Sequence, residues 1–524
     1  MAAEVGSAPA APRAAGLVRS IATVGSLTLV SRILGFVRDI MIAALLGAGP
    51  LADAFFVAFK LPNFLRRLFA EGAFNAGFVP LFARTLEGEG HSAAKAFAEQ
   101  AQAIQVAVLV PLVVLAIVAM PWVILVLAPG FEPGSLRYDG AVELSRITFV
   151  YILFIALVAL YGGVLNSVGR FAAAAAAPVV LNLCLIGALA VSVLWLDAPA
   201  HALAWGVALA GLLQFLWLRL AVRRAAMAPA LRRPRLTPQI KRLFWLILPG
   251  AVGAGVAQIN LFIDIVLASL LPPGAVSYLY YADRVNQLPL GVVGVAVGTA
   301  LLPLMSRHLR AGQVDHAMHN QNRAIELALL LTVPAAAALM VLSGPIISVL
   351  FERGAFGAEA SRATSAALAA YALGLPAYVL IKVLTPGFFA REDTKTPVKI
   401  AVVCLISNVV IALALIWWLA HVGIALATAL SAWLNTGLLA RGLRRDDLLR
   451  PDAQLKRRLP RIAGASLAMA LALWLAAPWL AGLPPALALA LLVAGGGLTF
   501  LLFGHLIGAL DFGELKRVVG RRHA

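Results

Sequence analysis

The sequence predicts an all-α polytopic membrane protein with fourteen transmembrane helices, and three observations carry that prediction. Hydrophobic residues fill 62% of the 524 positions and charged residues only 13%, where soluble globular chains are about half apolar and about a quarter charged. The apolar residues come in runs of spanning length, such as Ile104 to Leu127, unlike the short alternating segments of a β-barrel. The 42 Lys and Arg, set against 24 Asp and Glu, gather mostly between those runs.

The elements follow in order. Residues 1–16 are rich in Ala and Pro and are expected to form a disordered tail. Span 1, 20–46, is too long for the core of a signal peptide and contains Arg32, Arg38 and Asp39, so it is expected to be a retained helix. Charge, Gly or Pro then separates apolar cores at 54–82, 104–127, 142–167, 173–196 and 202–220, which complete six spans. A second set lies at 243–271, 276–305, 325–350, 363–389, 398–419 and 422–440. Two more cores, 462–481 and 485–509, close the membrane region.

Lys and Arg set the orientation. Arg219, Arg223, Arg224, Arg232, Arg233, Arg235, Lys241 and Arg242 crowd the connection after span 6, and a second basic cluster from Arg441 to Arg461 follows span 12. The connections after spans 1, 5, 7, 11 and 13 hold no Lys or Arg. This alternation places both termini on the cytoplasmic side. It also divides the chain into an N-lobe (17–225), a basic cytoplasmic linker (226–240), a C-lobe (241–445), a second basic linker (446–461), a helix pair (462–510) and a cytoplasmic tail (511–524). An ungapped alignment of Ala52–Arg84 with Ala275–Arg307 matches Asn63 with Asn286, Pro80-Leu81 with Pro303-Leu304 and Arg84 with Arg307. The lobes are therefore read as pseudo-symmetric six-helix repeats, a known transporter architecture.

Charges inside the spans point to function, because each costs roughly 2.5–3.5 kcal/mol at the centre of a bilayer. In span 2, Asp53, Lys60, Asn63, Arg67, Glu71 and Asn75 recur at helical steps and share one face. Taken singly, Arg67 and Glu71 can form an i, i+4 ion pair, and Lys60 and Arg66 can reach toward headgroups. Arg66 falls to the side of the stripe, unless Pro62 distorts the helix. Span 1 adds Arg32, Arg38 and Asp39 around Gly35. Three arginines outnumber the acids near their depth, and a surplus of planar guanidinium donors favours a phosphate-bearing ligand. The second lobe adds Asn260 and Asp264, then Asp283, Arg284, Asn286 and Gln287. Arg284 can pair with Asp283, and Asp264 is a candidate ligand for a cation or partner for an arginine.

Other chemistries find no pattern. Nucleic-acid binding is not expected, because the basic residues lie in short loops without a recognition motif. The sequence holds no phosphate-binding Walker loop and no metalloprotease HExxH, and its eight histidines are scattered. A transporter rather than an enzyme is expected. Cys184 and Cys404 fall inside spans, where small apolar packing is their ordinary role.

The runs SRILGFVRDIMIAALLGAG (31–49), ADAFFVAFKLPNFLRRLFAEGAFNAGFVPLF (52–82), YYADRVNQLPLGVVGVAVGTALLP (280–303) and TPGFFAREDTKTPVKI (385–400) resemble the MurJ (MviN) family of bacterial lipid II flippases. The resemblance extends over all fourteen spans and implies the multidrug/oligosaccharidyl-lipid/polysaccharide exporter superfamily. It implies that helices 13 and 14 form a groove for a lipid tail. It also implies substrate contacts at Arg32, Arg38, Asp53, Asn63, Arg66 and Arg284, with Asp39, Glu71 and Asp283 supporting the cavity, to which the span 2 stripe adds Lys60 and Arg67. The implied substrate is lipid II, an undecaprenyl pyrophosphate carrying a disaccharide-pentapeptide, moved between leaflets of the bacterial inner membrane for peptidoglycan biosynthesis, cell-wall biogenesis and cell shape. No cofactor is implied; sodium or another monovalent ion is a coupling candidate, with Asp264 as its ligand. Membrane lipids and cell-wall synthesis proteins are the remaining expected partners, and a monomer suffices for the mechanism. The alternatives are an exporter of drugs or of another lipid-linked oligosaccharide, and a scaffold of the envelope assembly machinery.

Overall fold

The structure, a computed structural model, describes the backbone of residues 14–66 and 73–510, and their side chains except at 14–21, 65, 73, 249–258, 260–261 and 292–300. The described residues form sixteen α-helices, with π-helical turns at Arg66 and Ser192–Leu196 and no strand. Where they are described, the predicted cores fall on helices. They are α1 (Ala14–Leu46), α2 (Pro50–Leu65), α3 (Ala73–Val118), α4 (Met120–Leu127), α5 (Leu136–Phe149), α6 (Tyr151–Ser167), α7 (Ala172–Val191) and α8 (Pro199–Arg224) in the first part of the chain. The rest are α9 (Pro238–Ser269), α10 (Ala275–Arg310), α11 (Val314–Val341), α12 (Ser343–Phe351), α13 (Ala358–Phe389), α14 (Lys395–Arg445), α15 (Ala453–Leu480) and α16 (Pro485–Leu506). Nine helices among the described residues are long and apolar enough to cross a membrane.

The local signals are chemical. α2, α8, α9 and α16 each open on a proline, whose fixed φ and missing N–H suit the first helical position. α5 and α15 start at side-chain caps, Ser135 accepting from the Tyr138 N–H and Asp452 from the Leu455 N–H. Two long helices are broken. Gly90 (φ 84°) divides α3, and Ala420 (φ 47°) divides α14 into segments that match predicted spans 11 and 12. Predicted span 2 is described as α2 and the start of α3, on either side of residues 67–72, so the stripe drawn through Arg67 and Glu71 runs outside the described residues.

The chain divides into two compact units whose boundaries cut across the predicted lobes. Unit 1 comprises 1–45, 57–126 and 133–258; unit 2 comprises 46–56, 127–132 and 259–524. In unit 1, α6 packs on α3 and α8, and α7 packs on α8. The close approach of α6 and α8 needs Gly211, where a Cβ would stand 2.8 Å from the Tyr151 ring. The basic segment after α8 is strapped to α3: Arg232 pairs with buried Glu99 at 2.7 Å, and the backbone N–H groups of Ala230 and Arg235 donate to Glu99 and Gln100.

In unit 2, α13 is the central element, packed against α10, α11, α12 and α14. α15 packs on α11 and α16 on α15, around Leu342, Ala465, Met469, Leu473, Leu492 and Phe500. At one end of this pair, the Glu326 carboxylate accepts from Arg323 and Arg458, and Arg323 also bonds Asp452 at 2.5 Å.

Exposed tryptophans gather toward the odd-numbered connections, although Trp217 and Trp245 are exposed near the arginine-rich ends. Trp122, Trp195, Trp205, Trp417, Trp418 and Trp479 are all exposed and all flank odd-numbered connections, opposite the arginine-rich ends. Aromatic belts of this kind form where an amphipathic ring meets the headgroups.

Candidate functional site

Unit 1 links Arg38, Asp39, Asn63 and Arg66 of predicted spans 1 and 2 through shared partners. Arg38 and Asp39 are 5% and 2% exposed, and both the Nε and Nη2 of Arg38 donate to Asp39 Oδ1, at 3.0 and 2.7 Å. Arg38 Nη1 donates to Asn182 Oδ1 at 2.9 Å, and the Asn182 amide donates to the Ser31 carbonyl at 2.8 Å. Gly35 faces that amide across ordinary van der Waals distance. Asn182 thus ties α7 to α1 and fixes the guanidinium plane from the side opposite Asp39. A lone Asn in the apolar run PVVLNLCLIG is the sequence signal for it, since an amide in a span needs a partner.

Phe59 joins this pair to the second arginine. The Arg38 guanidinium stands 5.7 Å over its ring, a cation–π distance, and its carbonyl accepts from Asn63 Nδ2 at 2.8 Å. Asn63 Oδ1 in turn accepts from Arg66 Nε at 3.3 Å. Pro62 itself lies within α2, Arg66 starts a wider, π-type turn just past it, and Arg66 lies within electrostatic reach of Tyr151. Lys60 is half-buried, while Arg32 is exposed on α1. Arg67 and Glu71 lie outside the described residues. Asn75 faces Gly163 of α6.

Asp53 belongs to unit 2 and is fully buried there. Its Oδ2 accepts the Gly274 N–H at 2.8 Å, and its Oδ1 accepts the Ser277 N–H at 2.9 Å and the Ser277 hydroxyl at 2.6 Å. The carboxylate therefore caps the start of α10, where orphan N–H groups and the helix dipole favour an anion. Tyr281 donates to the Gly47 carbonyl, and Phe56 stacks on Tyr280 at 3.9 Å. Gly130 donates to the Ser269 hydroxyl, and a Cβ on Gly130 would collide with the Ser269 carbonyl at 2.3 Å.

The same aromatic ladder carries Arg284, whose guanidinium lies 4.9 Å over the Tyr280 ring and donates to its hydroxyl at 3.1 Å. Asp283 accepts from Gln287 one turn later. Asp264 on α9 is half-buried, and Asp264 and Asp283 both act electrostatically on Tyr371 and Tyr378 of α13. The Asn260 side chain lies outside the described residues. Sequence reasoning missed the tyrosines because an aromatic in an apolar run reads as packing.

Helical bundles with arginines held by amide and aromatic partners are the architecture of a membrane transporter, and the fold is one shared with members of the multidrug/oligosaccharidyl-lipid/polysaccharide exporter superfamily. An inward-facing multidrug resistance MATE family transporter of that superfamily has the same fold, with a TM-score of 0.68 over 82% of this chain and 98% of that one at 15% identity. The family described as lipid II flippase MurJ matches residues 42–490, and the chain belongs to it. A probable lipid II flippase MurJ of Rhizobium meliloti (strain 1021) is 47% identical over 89% of this chain and 88% of its own length. The lipid II flippase MurJ of Burkholderia cenocepacia is 38% identical over 87% and 89%. A solved lipid II flippase MurJ in an inward closed conformation superposes with a TM-score of 0.77, at 26% identity, over 92% of this chain and 98% of that one.

Proposed function

We propose that the protein moves lipid II from the cytoplasmic to the periplasmic leaflet of the bacterial inner membrane, with no bond made or broken. Membership of the lipid II flippase family carries this reading. The arginine chemistry supports it: a diphosphate suits the parallel donors of a guanidinium, and Arg38 and Arg66 in unit 1 and Arg284 in unit 2 are each oriented by a fixed partner. Arg32 is the exposed member of the set. The chain works by alternating access, with both termini cytoplasmic and the undecaprenyl tail remaining in lipid along α15 and α16.

Membrane potential, worth about 2.3 kcal/mol per charge per 100 mV, returns the positively charged empty cavity inward after release of the anion. Sodium or another monovalent cation at Asp264 is the second candidate drive. Purified protein in liposomes, given labelled lipid II with and without an imposed potential, tests the whole reading. Protein-dependent translocation that accelerates with potential is expected, and a wild-type protein that moves no lipid II overturns it.

A further inference from the structure

A groove at the arginine-rich end of unit 1 takes no part in the site above. It is a cavity of about 580 Å³ lined by α1, the turn between α6 and α7, and α8. Trp217, Leu220, Ala221 and Arg224 line it from one face of α8, because steps of three and four residues return to the same side of a helix. From Trp217 to Arg224 this wall runs about 10 Å along the axis. Leu27 of α1, Leu165 of α6 and Phe171 at the head of α7 extend the apolar lining. Alanines on α7 leave the space open, and the Trp217 indole is pinned by its N–H donating to the Ala173 carbonyl at 3.2 Å.

The mouth is cationic. Gly169, at φ +75°, makes the tight turn that brings Arg170 back toward α8. Arg170 Nη1 donates to the Arg224 carbonyl at 3.2 Å, which sets two guanidinium-bearing residues side by side at the rim. A guanidinium has five N–H donors, so one bond to a carbonyl leaves Arg170 able to bind an anion. Apart from these arginines, the lining side chains offer only the Thr23 hydroxyl as a polar group.

We propose that this groove binds an anionic phospholipid, its phosphate held by Arg170 and Arg224 and one acyl chain lying along Leu27, Phe171 and Trp217. A soluble anion has no use for the apolar wall. A glycan or peptide headgroup finds almost nothing to hydrogen-bond. A phosphate joined to an alkyl chain uses both halves of the lining, and basic pockets between transmembrane helices are a recognised form of lipid headgroup site.

Native mass spectrometry of the full-length protein in mild detergent, titrated with phosphatidylglycerol or phosphatidylethanolamine, tests the assignment. The wild type is expected to prefer phosphatidylglycerol. The Arg170→Ala/Arg224→Ala variant is expected to lose about 30-fold in its apparent affinity, with each surface cation contributing about fivefold. Both positions are exposed, so the variant is expected to melt with the wild type. Arg170→Lys/Arg224→Lys is expected to keep most of the preference, and millimolar inorganic phosphate is expected not to displace the lipid. Equal retention by the wild type and the double alanine variant overturns the proposal, as does equal retention of the two lipids. Displacement by inorganic phosphate, or preferential retention of undecaprenyl pyrophosphate, overturns it as well.

Discussion

The carboxylate of Asp53 and the hydroxyl of Ser277, 224 positions apart in sequence, meet at 2.6 Å. With the Gly274 and Ser277 N–H groups, this contact places three donors on one fully buried acid. Hydrogen bonds to charged groups contribute about 1.5–3 kcal/mol, and stranded buried donors cost about 1–3 kcal/mol each. Ser277→Ala is therefore expected to lower stability by about 1.5–3 kcal/mol and Asp53→Ala by clearly more. Thermal melting of the two variants in detergent measures the order. Equal losses would show that the backbone N–H bonds contribute nothing.

Arg38 and Asp39 form a buried pair with an amide on the far side, and removing one partner of such a pair costs about 3–5 kcal/mol. Arg38→Ala is expected to fold poorly because the buried Asp39 carboxylate loses both of its guanidinium bonds. Arg38→Ala/Asp39→Ala is expected to regain much of the expression and melting temperature while remaining unable to support growth. Depletion of the native protein with each variant supplied in its place separates folding from function.

Tyr280 offers Arg284 both a ring and a hydroxyl. Tyr280→Phe keeps the cation–π contact and is expected to slow lipid II translocation by no more than about tenfold, the scale of one hydrogen bond. Arg284→Ala is expected to abolish translocation, and Arg284→Lys not to restore it, because an ammonium lacks the planar fork. Initial rates in liposomes at matched protein content decide this.

Asp452 caps α15 and binds Arg323. Burial pushes its carboxyl up, but the Leu455 N–H and Arg323 outweigh burial and hold it below its ordinary value. An acid depressed in the folded state stabilises above its unfolded pKa of about 3.9, and that stability is lost as pH falls through the lower folded value. Wild-type melting temperature is expected to drop below about pH 4. Asp452→Asn retains a capping oxygen and is expected to flatten that part of the acid limb.

Glu99 holds the basic segment that follows α8 through one side-chain pair and one backbone N–H. Arg232 is more than half exposed, so solvent screening limits what the ion pair adds. Glu99→Ala is expected to speed tryptic cleavage at Arg232, Arg233 and Arg235 by about three- to tenfold, the scale of a hydrogen bond to a charged group together with a screened pair. Timed digestion of membranes measures it.

The helices were legible because spanning length leaves little choice: a run such as Ile104 to Leu127 must satisfy its backbone internally. The proline start at Pro485 was equally readable, whereas α2 opens at Pro50, ahead of the predicted core at 54. The site was legible in residue type and less so in connection. Arg38 and Asp39 are sequence neighbours, but Asn182 lies 144 positions away and nothing local aims it at Arg38. Asp53 fits a helical stripe with Lys60 and Asn63, yet the boundary between units falls after Phe56 and its carboxylate is taken up by a turn beyond residue 270. Periodicity assigns a face to a residue; it does not say what that face meets.

The tryptophans beside the odd-numbered connections and the arginines beside the even ones act as moorings at two heights. An indole pulled into hydrocarbon loses its polar contacts, and one pushed into water exposes its ring. Vertical travel of these segments is therefore opposed from both ends, so that depth in the bilayer is written into side chains that take no part in the candidate site.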